Sequence, residues 1–120
     1  MTDLGLLLAE MRPVLHEEPY GFDLLDPDAP LPADVFALIH EEEGMTLIAP
    51  FPDGEWARIS LAVHSSLSAV GLSAAIAQAL ADHALPANIV AGVHHDHIFV
   101  PWELRHEALQ ALTILSEQYR

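Results

Sequence analysis

The sequence predicts an α+β fold on three observations: two stretches of apolar alternation, two helical stripes that punctuate them, and the order in which they come. Ile59, Leu61 and Val63 alternate with Arg58, Ser60 and His64, the pattern of a strand with one face on a core. Leu72, Ile76, Ala79 and Leu80 then form a helical stripe that ends before Pro86. Ile89, Ala91 and Val93 alternate again, Ile98 and Val100 follow a His-Asp turn, and Pro101 closes that strand. Leu104, Ala108, Ala111, Leu112, Leu115 and Tyr119 make the last apolar stripe, with Glu103 near the positive end of its helix. From Trp56 onward the order is strand, helix, strand, strand, helix, a ferredoxin-like sandwich short of its last strand. The N-terminal half is the expected supplier of that strand, although a partner subunit could add one instead.

Ahead of Trp56 the signals are weaker. Residues 2–11, Thr2 to Met11, read as a short helix with Leu4, Leu7, Leu8 and Met11 at helical spacing and Pro13 ending it. Pro19, Pro27, Pro30 and Pro32 limit residues 20–25 to a short strand before an irregular, mobile loop at 26–32. Residues 35–40 and 45–49 flank Glu41-Glu42-Glu43-Gly44 and suit a hairpin whose acidic turn faces water. A helix from Asp34 stopped by Gly44 is the alternative. The three glutamates suggest a divalent-cation site, but nothing adjacent completes an oxygen shell, and a solvated turn is the commoner arrangement.

A chain of 120 residues, 52% apolar and 18% charged, suits one packed folding unit. Four basic residues against eighteen acidic ones give a formal charge of -14, which repels phosphate backbones and anionic lipid, so neither nucleic acid nor a membrane is an expected partner. Cysteine is absent, which excludes disulfides and thiolate chemistry. The short N-terminal leucine run follows Asp3 and lacks a basic n-region, so it fits neither a signal peptide nor a membrane span, and the cytoplasm is the expected location. Protonating all eight histidines would move the charge from -14 to -6 and make solubility or assembly respond to pH.

The chemistry concentrates where the first clear strand meets the first clear helix. Ser65, Ser66, Leu67, Ser68, Ala69, Val70, Gly71 and Leu72 fill that junction. Gly71 lets backbone approach a ligand, and the N–H groups at a helix start favour a carboxylate. The serines offer hydroxyls and Asn88, beside Ile89 in the next strand, offers a donor and an acceptor. The plainer alternative is that Ser68 or a neighbour caps the helix and Asn88 supports a turn. His94-His95-Asp96-His97 is the second cluster. His95 and His97, with His64 from across the sheet, are the candidate metal ligands, but a zinc, copper or nickel site needs three or four converging groups, and none completes it here. No Gly-x-Ser-x-Gly elbow places a nucleophile, so no catalytic residue is expected. No cofactor is expected either. His83 suits the carbonyls at the end of its helix, and Trp56 and Trp102 suit core or interface positions.

Several words of the sequence carry a family resemblance: Glu43-Gly44-Met45-Thr46-Leu47, residues 59–67, residues 69–75, Ala87-Asn88-Ile89-Val90-Ala91-Gly92 and residues 95–101. Over roughly residues 4–115 the chain resembles the ACT-domain superfamily, small ferredoxin-like regulatory modules, and within it stand-alone proteins of unknown function with an extra N-terminal half. The resemblance implies a ferredoxin-like βαββαβ-type ACT sandwich at 56–120 and an additional N-terminal ACT-like half at 1–55. It implies a non-catalytic module that binds a small ligand, an amino acid, between two modules. The positions it assigns are Ser65, Ser66, Ala69, Val70, Gly71 and Leu72 at the turn, with Asn88 and Ile89 at the next strand. Many ligand-binding members carry Pro-Gly or Asp-x-x-Gly at this turn, whereas Val70 precedes Gly71 here. A homo-oligomer is the expected assembly, and the alternative is an interaction protein that dimerises through its sheet without ligand.

Overall fold

The computed structural model describes residues 3–120, in the order α1 (Leu4–Ala9), β1 (Pro13–Leu25), β2 (Ala37–Glu41), β3 (Gly44–Pro50), β4 (Trp56–Leu61), α2 (Leu72–Asp82), β5 (Asn88–Ala91), β6 (Asp96–Pro101) and α3 (Arg105–Glu117). Thr2, assigned above to the first helix, lies outside the described residues. A single 3₁₀ turn, Trp102–Leu104, joins β6 to α3. The six strands form one antiparallel sheet in the order β2-β3-β1-β4-β6-β5. Among the described residues no helix is long and apolar enough to cross a membrane.

The last four strands of that order, β1-β4-β6-β5, are the ferredoxin-like set, and β1 from the N-terminal half fills the place the C-terminal half leaves vacant. The expected supply of the missing strand from within the chain is therefore observed. Strand β1 corrects the short-strand expectation. It runs for 13 residues and holds both Pro13 and Pro19, pairing with β4 through Pro13 to Leu15, then through Pro19 and Tyr20, and with β3 from Tyr20 to Leu25. The register breaks between Leu15 and Pro19, an irregularity that accommodates a residue with no N–H to donate.

Alternation sets the helix-covered face. Ala57, Ile59 and Leu61 of β4 and Ile98 and Val100 of β6 meet Leu72, Ile76 and Leu80 of α2, Ala108, Ala111 and Leu112 of α3, and Leu7 and Leu8 of α1 in one buried aliphatic cluster. Most of the stripes read from sequence are these same residues. Apolar positions at the element ends depart from it: Ala91, where β5 ends, is exposed, Val93 is 70% exposed in the following turn, and Tyr119 lies beyond α3, 49% exposed. Residues 37–41 and 44–50 form the expected hairpin, Glu41 opposite Gly44, so the helical alternative from Asp34 is not adopted.

The opposite face of the sheet is not left to water. Tyr20, Ile48 and Phe99 are buried there with Phe22, Phe36, Trp56 and Val90 packed against them. Phe99 is the hub, its ring 5.2 Å from Phe22, 5.5 Å from Phe36 and 5.6 Å from Tyr20, each edge to face. Phe36 belongs to the segment entering β2, so the N-terminal hairpin curls over this face.

Candidate functional site

Beyond β4 the chain leaves the sheet and turns into α2 through residues 62–71. Gly71 sits at the N-cap with φ +97°, a conformation L side chains rarely adopt, and no side chain caps the helix. The plainer alternative, a cap from Ser68 or a neighbour, is not made; the Ser66 hydroxyl accepts instead from the Ser68 N–H at 3.0 Å, which shapes the turn. The N–H groups of the first turn of α2 have no intrahelical partner by construction. Leu4 of α1 lies against Gly71, close enough that a Cβ there would meet Leu4 Cδ2 at 3.0 Å.

The assigned residues divide by burial. Leu72 is buried in the aliphatic core, and Ala69 and Ile89 pack against it, so these three offer backbone only. Val70 is 84% exposed. Ser65 is buried and donates its N–H to the His94 carbonyl at 3.4 Å; nearby, burial raises the pKa of the Asp96 carboxyl against the lowering pull of His95 and Ser65. The structure thus sets Ser65, at the start of the turn, beside the β5–β6 turn, and Gly71, at its end, beside α1. Asn88 is exposed and stands opposite Phe99, three residues back from Ala91 along β5, about 10 Å at strand rise.

The histidines scatter over different partners. His64 and His94 stack with ring centroids 4.9 Å apart and a 2.7 Å bond between Nε2 and Nδ1. His95 turns its Nδ1 to the Val63 carbonyl at 3.1 Å, and His97 its Nδ1 to the Ser60 hydroxyl at 2.8 Å. His95 and His97 therefore do not converge, and among the described residues no group of three or more His, Asp or Glu is placed to hold a metal ion. His83 meets the Ala79 carbonyl at 2.9 Å, the helix-end role its position suggested.

A polar chain on the curled face is absent from the sequence reading. His16 Nε2 lies 2.8 Å from Ser60 Oγ, which lies 2.8 Å from His97 Nδ1; Arg58 reaches the same Nδ1 at 3.4 Å through Nε and the Tyr20 hydroxyl at 2.9 Å through a terminal nitrogen. Guanidinium can only donate, so His97 Nδ1 is the acceptor and its ring proton sits on Nε2. Ser60 then donates to His97 and accepts from His16. Burial, then Arg58, His16 and His95, hold His97 down at about 4, and burial with Arg58 lowers His16 against the raising pull of Glu18. Arg58 also lies 4.3 Å from the Phe36 ring centroid. The sequence signal was the alternation of Arg58 and Ser60 with Ile59 and Leu61; the register then sets Ser60 opposite His97 and Arg58 opposite Phe99, so the polar side of β4 shares a face with the polar and aromatic side of β6.

Comparison with known proteins places this architecture. Sequence profiles of the ACT domain match residues 1–65 and, separately, residues 53–113. A Vibrio cholerae protein of unknown function, described as a possible transport protein, is similar at 37% identity and TM-score 0.72 over 90% of this chain and 92% of its own. A protein from Agrobacterium tumefaciens shares the fold at 12% identity and TM-score 0.72, over 89% of this chain and 90% of its own. The ligand-free regulatory subunit of aspartate kinase from Thermus thermophilus does so at 16% identity and TM-score 0.68, over 88% and 97%. No curated protein matches the chain. With ACT-domain matches on both halves and a close structural relative over nine-tenths of its length, the chain belongs to the ACT-domain family of regulatory, ligand-binding modules.

Proposed function

We propose that this chain is a non-catalytic sensing module that binds an amino acid at the Ser65–Leu72 turn, with residues 1–55 acting as an N-terminal ACT-like half and 56–120 as the ACT domain. The observation that carries the reading is the uncapped start of α2 behind a left-handed Gly71. Unpartnered N–H groups and the positive helix end suit a carboxylate. With four basic residues in the chain, backbone amides are the main source of such recognition. Asn88 and Ile89 lie on β5, an edge strand, so they meet the turn of an adjacent copy more readily than their own. The proposed assembly is accordingly a cytoplasmic homo-oligomer, and ligand bound between copies stabilises it.

A thermal-shift screen of the common amino acids, confirmed by calorimetry, tests this. Saturable binding of one chemical class, weakened in Asn88→Ala and Ser66→Ala proteins that melt like wild type, supports it. A flat screen on folded protein sinks it. The open edge of β5 favours a second reading, a ligand-independent homodimer through the sheet, which predicts a dimer by light scattering whose dissociation constant no amino acid moves.

A further inference from the structure

At the opposite end of β4 from the Gly71 turn, the structure forms a cleft of about 540 Å³ lined by Gly54, Glu55, Trp56, Pro101, Trp102 and Glu103 together with Leu104. Its two walls are held in register, Trp56 opposite Pro101 in the ladder and the Trp102 N–H donating to the Glu55 carbonyl at 2.8 Å. The volume is within the range of small-molecule sites. Its chemistry is one-sided: two indoles and two carboxylates. Among the described residues neither Glu55 nor Glu103 has an ion-pair partner.

Arg105, the basic residue nearest in sequence, does not neutralise them. Its guanidinium carbon lies 3.9 Å from the Trp102 ring centroid and one terminal nitrogen donates to the Trp102 carbonyl at 2.7 Å. One face of this indole thus holds a guanidinium, the chain's own, which is not ion-paired with either carboxylate. A chain of formal charge -14 adds a long-range pull on any cation that approaches.

We propose that this cleft binds a small organic cation, a primary amine or guanidinium carried on a flat or apolar body. The body lies against the Trp56 and Trp102 side of the cleft, and the charge is taken by Glu55 and Glu103. The site is separate from the carboxylate-binding turn proposed above, about 17 Å away along the six residues of β4, so each reading can fail without the other.

The chain has two tryptophans and both line the cleft, so intrinsic fluorescence reports on it directly. Titration with 2-phenylethylamine and with agmatine is expected to give a saturable change in emission. The uncharged isostere 2-phenylethanol should bind about fivefold or more weakly, and a Glu55→Gln/Glu103→Gln protein should lose about fivefold in amine affinity, the scale of two solvent-accessible charge pairs. Both glutamates are exposed, so the double variant is expected to melt like wild type. Three results each overturn the proposal: no saturable change with either amine, equal binding of amine and alcohol, or undiminished amine binding by the double variant.

Discussion

The two faces of the sheet are closed in different ways. Under the helices, aliphatic side chains from α1, α2 and α3 meet those of β4 and β6. On the other side, aromatic rings of β1, β4, β6 and the segment before β2 meet one another, and a chain of polar groups runs from His16 through Ser60 and His97 to Arg58 and Tyr20. The helix face needs only apolar volume at the right period. The curled face also needs directional bonds among residues as far apart as His16 and Ser60, 44 positions along the chain, and each polar group there depends on its neighbour for a partner.

If both faces are true cores, truncation should hurt either one. Phe99→Ala removes the ring that three other aromatics share, and an expected loss of about 3–5 kcal/mol should appear in urea denaturation. A loss below about 1 kcal/mol, the scale of a surface substitution, would break the comparison. Ile76→Ala, fully buried beneath α2, is expected to cost about 2–4 kcal/mol in the same experiment. Gly71→Ala forces an alanine to φ +97° against Leu4 and should cost about 1–2 kcal/mol, measured as a fall in the urea midpoint. Ser60→Ala leaves His16 and His97 without their shared partner and is expected to cost about 1 kcal/mol, with no counterpart on the aliphatic face.

The most diagnostic effect is in pH. His97 titrates at about 4 in the folded protein and at 6.5 in the unfolded chain, so above 6.5 it is neutral in both. Between 6.5 and about 4 the unfolded chain takes up the proton first, and stability falls as pH is lowered through that window. The lowered His16 adds in the same direction, whereas the raised Asp96 works the other way just above 3.8. Comparing wild type with His97→Gln by thermal melts isolates the His97 part. The variant should show a shallower decline over this window, and parallel pH profiles would mean that His97 is not held neutral by the fold.

Composition and periodicity by themselves determined much of this protein. The alternation of Ile59 and Leu61 and of Ile98 and Val100, together with the helical stripes at Leu72–Leu80 and Leu104–Leu112, placed a βαββα unit from Trp56 onward, because a two-residue or 3.6-residue period says which side of an element is apolar. Gly71 and its serines marked the strand-to-helix junction for the same local reason. Only the tertiary structure decided that β1 runs across Pro19 to supply the fourth ferredoxin strand, and that Arg58, Ser60 and His97 form a half-buried, mutually bonded chain rather than a solvated face. Local period identifies a polar face but not what comes to cover it. Here the cover is Phe36 and the N-terminal hairpin, brought in by pairings between residues far apart in the chain, and the partial burial of those polar groups follows from that closure.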